Sequence, residues 1–475
     1  MKSLYLPVLL SLALAGQVFA AKVIPNHAIA DLVLGQEDFV TGSPPVVRDP
    51  TTLSGPAAVV VDPMSGKLFV LEYSSYRILR FASANSLTNG APAEAVFGQS
   101  RFSDSSSGNA DQKWGLAYTL FFDRKGRLWL SDYSNNRVLM FEVAAYRSST
   151  PYADRVFGQP DFTTYSSGTT ASKMDSPIGV CVDTNDRLWV TEYGNNRVLR
   201  FDNITDKPSG SAADGVLGQA TFLSNGSGLS ASNMNGPAQL AVSNTGALFV
   251  AEYINKRILR FNNAAQLGNG AGASGVLGQV DFVTATAGLS ASALSGAWGV
   301  HVTPDDTLWV TELGRARVLR FSTATTLANG ASADGVIGQA DFTTNTASIT
   351  NRGLGLNFYS QPFVDAASNL WVPDFANNRV LRFQPDVTKP LLTLTGTVPK
   401  TIKKKTVVIK GTASDAYGIS KIQYRIGTGA LKTASGTTSW QFTASLKKGK
   451  NTITIIATDS VGNVSLSKVV RVKRK

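Results

Sequence analysis

Six carboxylates and six guanidinium groups recur along this chain at one fixed offset. Glu72, Asp132, Glu192, Glu252, Glu312 and Asp374 each stand five residues before an arginine: Arg77, Arg137, Arg197, Arg257, Arg317 and Arg379. Six acids gathered on one axis would suit a divalent cation. Five residues across a tight turn instead set each acid opposite its own arginine on a hairpin, where the two neutralise one another. A residue present in every unit serves what every unit shares. The twelve are therefore read as structural pairs, with no metal site among them.

Other reactive groups are few. His27 and His301 are the only histidines, so a three-histidine zinc site cannot be assembled. Cys181 is the only cysteine and sits in the apolar run "IGVCVD", which marks a small core residue and excludes an intrachain disulfide. No catalytic group and no cofactor is assigned. Ligand recognition is sought where the repeated units differ, on strands expected to begin at Pro56, Ala117, Pro177, Pro237, Ala297 and Tyr359. Tyr118, Gln239, Trp298, Tyr359 and Gln361 are the unrepeated aromatic and amide groups there, and His301 replaces the Phe121, Cys181 or Ala241 of other units. Aromatic faces beside amides suit a sugar or a peptide.

The elements that carry these residues follow from self-comparison. The six arginines are spaced by 60, 60, 60, 60 and 62 residues, and a "GQ" phrase recurs at Gly35, Gly98, Gly158, Gly218, Gly278 and Gly338. One unit reads as four short strands: "IGVCVD", "RLWVTEY", "RVLRF" and "GVLGQ", joined by turns such as "TND" and "NN". Strands apolar on both faces belong to sheets covered on both sides. Six such sheets form a six-bladed β-propeller. The last "NNRVLRF" has no "GQ" strand after it, whereas "DLVLGQEDF" at Asp31 has nothing before it. An N-terminal strand, Leu32 to Gln36, is therefore expected to pair with Arg379 to Phe383 and close the ring.

The run "PIGVCVDTNDRLWVTEYGNNRVLRF" resembles an NHL repeat. The resemblance recurs in all six units and implies an all-β propeller over residues 21–385. Relatives of this fold include metal-dependent lyases and hydrolases, but none of their catalytic residues carries over to a position here. An activity of that kind at the channel mouth, near His301, stands as the alternative to a binding role. A structural matrix component is a second alternative.

Composition changes after Pro385. Residues 386–475 hold 17 Lys and Arg against 3 Asp, a net charge of +14 in a chain whose total is +12. Six or seven short strands and the phrases "KGTASDAYGISKIQYRI" and "NTITIIATDSVGNVS" resemble bacterial immunoglobulin-like modules, which implies a β-sandwich with Trp440 in its core. Asp415, Asp459 and Asn463 are read there as turn residues in preference to calcium ligands. The lysine clusters favour an anionic polymer, and the absence of interleaved aromatics argues against specific nucleic-acid recognition. Residues 1–20 have the charged, apolar and small-residue regions of a signal peptide, and no later stretch is long enough to span a bilayer. The resulting expectation is a secreted or surface-associated binding protein: a propeller face for a protein or glycan, and a basic module that tethers it to an anionic surface.

Overall fold

A computed structural model describes residues 23–147, 151–355 and 359–475. Residues 1–20, expected to be a signal peptide, lie outside these residues. By contacts the chain divides into two compact units, Ile24–Pro385 and one containing Asp386–Lys475.

In the first unit each apolar run pairs with the next across a short turn. Blade 3 is representative: Pro177–Val182, Leu188–Glu192, Arg197–Phe201 and Gly215–Leu217 form one antiparallel sheet in chain order. Blades 1, 2, 4 and 5 repeat this plan. The first strands of successive blades touch one another, so they line the axis. Every blade ends at the glycine of "GQ", whose φ lies between 82° and 88° in all six copies. A side chain there would be strained, and at Gly218 it would also strike Met234.

Blade 6 is built from both ends of the unit. Phe363–Val364, Leu370–Asp374 and Arg379–Phe383 are completed by Ala30–Leu34, with Val33 opposite Leu381 and Leu34 opposite Val380. The expected closure is observed. The strand expected to begin at Tyr359 begins at Phe363 instead, because Pro362 has no N–H to offer the ladder.

The closing arm carries more than a strand. In blades 3 and 4 the outer-strand valines, Val216 and Val276, donate their N–H to Asn269 and Asn329 of the next unit. The residue after each of these asparagines is a glycine at positive φ. Val336 of blade 5 donates to Asn26 at 3.1 Å, and His27 takes the glycine position at φ 52°. The arm thus supplies a whole inter-blade loop as well as a fourth strand.

Each acid–arginine pair is fully buried. Arg137 meets Asp132 at 2.7 Å and Arg379 meets Asp374 at 2.8 Å, and the other four pairs are equally direct. Burial pushes the carboxyls of Glu72, Asp132, Glu192, Glu252 and Asp374 upward, and the arginine opposes that shift. The remaining guanidinium N–H groups fasten loops. Arg197 donates to the Phe222 carbonyl at 2.6 Å and to the Thr170 carbonyl at 2.8 Å. Glu192 accepts the Asp175 N–H at 2.8 Å and the Asn195 amide at 2.7 Å. Arg379 reaches the Phe39 carbonyl at 2.6 Å, so the terminal copy of the phrase is fastened as the internal ones are.

In the second unit, residues alternate between core and solvent, as in Thr406–Ser414. A three-stranded sheet is formed by Leu391–Leu394, Thr406–Ser414 and Ser439–Ser445. A five-stranded sheet contains Gly449–Asp459, flanked by Ile419–Ile426 and Lys468–Arg474. Trp440 lies in the core, where Tyr424 and Phe442 stack at 3.7 Å.

Arg197→Met would leave Glu192 buried without its cation. The expected cost is about 3–5 kcal/mol, measured as a fall in the denaturation midpoint of the propeller. Glu192→Gln, which keeps an acceptor for the loop N–H groups, should cost less.

Candidate functional site

The second residue of each inner strand faces the axis. Tyr118, Ile178, Ala238 and Trp298 are buried there in one cluster, against which Tyr359 packs. Tyr118 of blade 2 touches Trp298 of blade 5 edge-on at 5.4 Å. These blades face each other across the ring, so the two side chains meet on the axis and close the channel at this level. Tyr359 of blade 6 joins both, 5.9 Å from Tyr118 and 5.0 Å from Trp298.

Around this plug stands a second tier. The residue after each structural carboxylate is Tyr73, Tyr133, Tyr193, Tyr253, Leu313 or Phe375. The four tyrosines and Leu313 pack, partly buried, on the plug, and Phe375 lies 5.5 Å from Tyr359 and 5.8 Å from Tyr73. The result is a rim of one residue per blade, five of the six aromatic, with its side chains part-exposed. Tyr118 donates its hydroxyl to Tyr73 at 3.5 Å. Burial, then this hydrogen bond, raises the Tyr118 phenol far above its ordinary range, and burial also raises Tyr193 and Tyr359. The phenols are therefore neutral donors. A groove of about 460 Å³ opens beside Tyr133, lined by Tyr76, Gly108, Leu116, Ser134 and Tyr165 among others.

The two amides serve the ring. Gln361 accepts the Leu120 N–H at 3.2 Å and donates its backbone N–H to Ala57 at 2.8 Å, joining blade 6 to blades 2 and 1. Gln239 donates to the Tyr118 carbonyl at 3.4 Å. Its Oε1, with Trp298 Nε1, is buried without a hydrogen-bond partner among the described residues. The structure thus brings Tyr118, Trp298 and Tyr359 together, with Gln239 and Gln361 in the surrounding framework.

His301 stands apart from them. It pairs with Trp309 across its own blade and meets Phe363 edge-on at 5.1 Å. Burial pushes its imidazole down to about 4. Cys181 is buried at the matching position of blade 3, and burial holds its thiol well above the ordinary value.

The histidine makes stability depend on pH with a definite sign. The unfolded chain takes up a proton near 6.5, and the folded one resists until about 4. Stability is complete above the first value and is lost as pH falls toward the second. His301→Phe, matching Phe121 and Phe363 of other blades, should flatten that loss in melting curves recorded from pH 7 to pH 4.5.

Residues 174–201 match the NHL repeat family and residues 390–455 match the bacterial Ig domain family. No curated protein matches the chain. Among solved structures, the chain is similar to virginiamycin B lyase from Staphylococcus aureus, at 13% identity over 71% of this chain and 97% of that one, with a TM-score of 0.40. A streptogramin B lyase structure is similar at 14% identity over 73% and 86%, with a TM-score of 0.39. Fibronectin(III)-like modules of Clostridium thermocellum CbhA are similar at 21% identity over 18% and 97%, with a TM-score of 0.16. Likeness at this level transfers no activity. The chain is thus a six-bladed β-propeller that carries an NHL repeat at residues 174–201, with a bacterial Ig domain match at residues 390–455.

Proposed function

We propose that the protein is a secreted, non-catalytic binding protein whose propeller holds a glycan or peptide on the aromatic rim. The rim itself carries this reading: five aromatic side chains, four of them tyrosine, present part-exposed rings around a plugged axis, with Leu313 at the sixth position. Tyrosine offers a rigid apolar face and a hydroxyl at little entropic cost, which is why it dominates adaptable recognition surfaces. The competing reading, a metal-dependent lyase or hydrolase at the channel mouth, has less support. Among the described residues, the metal-competent group of acids lies in the C-terminal unit and not at the axis.

The C-terminal unit acts as the tether. Lys400, Lys450, Arg471 and Lys473 line one groove of about 610 Å³. Its walls are neighbouring strands, with Lys450 opposite Lys473 and Thr452 opposite Arg471. Closely spaced cations on a fixed framework favour an anionic polymer over single ions. Secretion rests on the signal-like first twenty residues, and among the described residues no helix is long and apolar enough to cross a membrane.

Two measurements test this. Tyr193→Ala combined with Tyr253→Ala should weaken binding about tenfold or more, read as tryptophan quenching against panels of neutral oligosaccharides and short peptides. Wild type that binds neither panel would remove the rim as a recognition surface. Lys450→Gln with Lys473→Gln should lower the salt concentration that elutes the full chain from dextran sulfate, and unchanged elution would refute the tether.

A further inference from the structure

The C-terminal unit contains 17 basic residues and only three acidic ones, Asp386, Asp415 and Asp459. Acids so outnumbered are expected to scatter among lysines. These three converge: one carboxylate oxygen of each lies within 4.8 Å of the others. Among the described residues, no lysine, arginine or histidine forms an ion pair with any of them, although 19 such pairs occur elsewhere.

Turn formation accounts for one oxygen of each acid. Asp386 Oδ1 accepts from the Thr388 N–H at 2.9 Å, and from its hydroxyl. Asp415 Oδ1 accepts from the Tyr417 N–H at 2.9 Å. Asp459 Oδ1 accepts from the N–H groups of Val461, Gly462 and Asn463 at 2.7–2.9 Å. The second oxygens have no such explanation. Asp386 is 7% exposed and Asp459 is 1% exposed, and Oδ2 of each is buried with no hydrogen-bond partner among the described residues. Asp415 Oδ2 receives a long 3.4 Å bond from Thr388. Asn463 fixes the assembly from outside by donating to the Asp386 carbonyl at 3.1 Å.

Three like charges at this separation, two of them buried, repel one another unless a cation joins them. We propose that Asp386, Asp415 and Asp459 form a calcium site. The donors are all oxygen, without histidine or cysteine, which selects a hard cation. Oxygens on opposite sides of calcium stand about 4.6–5.2 Å apart, and around magnesium about 4.0–4.2 Å. Three carboxylate oxygens within 4.8 Å of one another can share one ion of this size. Each aspartate therefore has two jobs: Oδ1 shapes its turn and Oδ2 faces the ion. The ion would lock the segment entering the first strand to the turns at Asp415 and Asp459. It would also neutralise the only negative charges opposing the basic surface.

The test uses the full chain and calcium alone as the probe. Calorimetric melting is compared in a chelator and in about 2 mM calcium, a concentration suited to extracellular modules. Calcium should raise the transition of the C-terminal unit by roughly 5–10 °C. Asp386→Asn with Asp459→Asn keeps both Oδ1 turn acceptors. That variant should melt in chelator at or above wild type and should not respond to calcium. Identical wild-type transitions in chelator and calcium would overturn the site, as would an undiminished response in the variant. An equal response to magnesium would overturn calcium as its ion. Should the double variant not fold, titration calorimetry decides: one calcium per chain in wild type, lost in Asp415→Asn, supports the site, and binding below one per chain overturns it.

Discussion

The buried arginine–carboxylate pair is the contact on which the propeller depends. A single ion pair of this kind contributes little net stability, since removing two charges from water costs nearly what their attraction returns. Its value lies in what the charged groups then require. Each guanidinium must satisfy its remaining N–H groups, and the carbonyls within reach belong to the phenylalanine that follows each "GQ" phrase and to the loop before the inner strand. Each carboxylate must accept further N–H groups, and those come from the same loop. Arg197 and Glu192 thus tie the turn of their blade to two segments that would otherwise be long and polar. Loops rich in Ser, Thr and Gly can be held without a hydrophobic core of their own.

The same pairs position the candidate site. A carboxylate locked at the end of the second strand fixes the direction of the next residue. In four blades that residue is tyrosine, and in the others it is leucine or phenylalanine. The rim is therefore a by-product of the scaffold's own repetition. The inner strands, which vary, fill the space inside it. Tyr118, Trp298 and Tyr359 come from three different blades and close the axis because their neighbours Ile178 and Ala238 are smaller.

Much of this was legible in the sequence. Sixty-residue spacing revealed the blades, the offset of five revealed the pairs, and the surplus "GQ" phrase revealed the closure. The rim was not legible, because its residues recur from blade to blade and a recurring residue reads as scaffold. Its signal was present as an aromatic or aliphatic residue directly after each paired acid. Gln361 and Gln239 looked like ligand-binding amides, and their hydrogen bonds to neighbouring blades depend on a curvature that no local pattern records. Asn26 and His27 hid for a different reason: histidine stands where other copies of the loop have glycine. The convergence of Asp386, Asp415 and Asp459 joins positions up to 73 residues apart, which only the sandwich topology brings together.

Ring closure also sets a clock. Phe39 and Arg379 are separated by 340 residues. At a synthesis rate of 5–20 residues per second, roughly 20–70 s pass between the appearance of one and of the other. Throughout that interval Ala30–Leu34 exists without Arg379–Phe383, the strand it pairs with. The first-made strand of the ring is thus matched to its last-made one, so the ring reaches its final form only once the whole of it has been made.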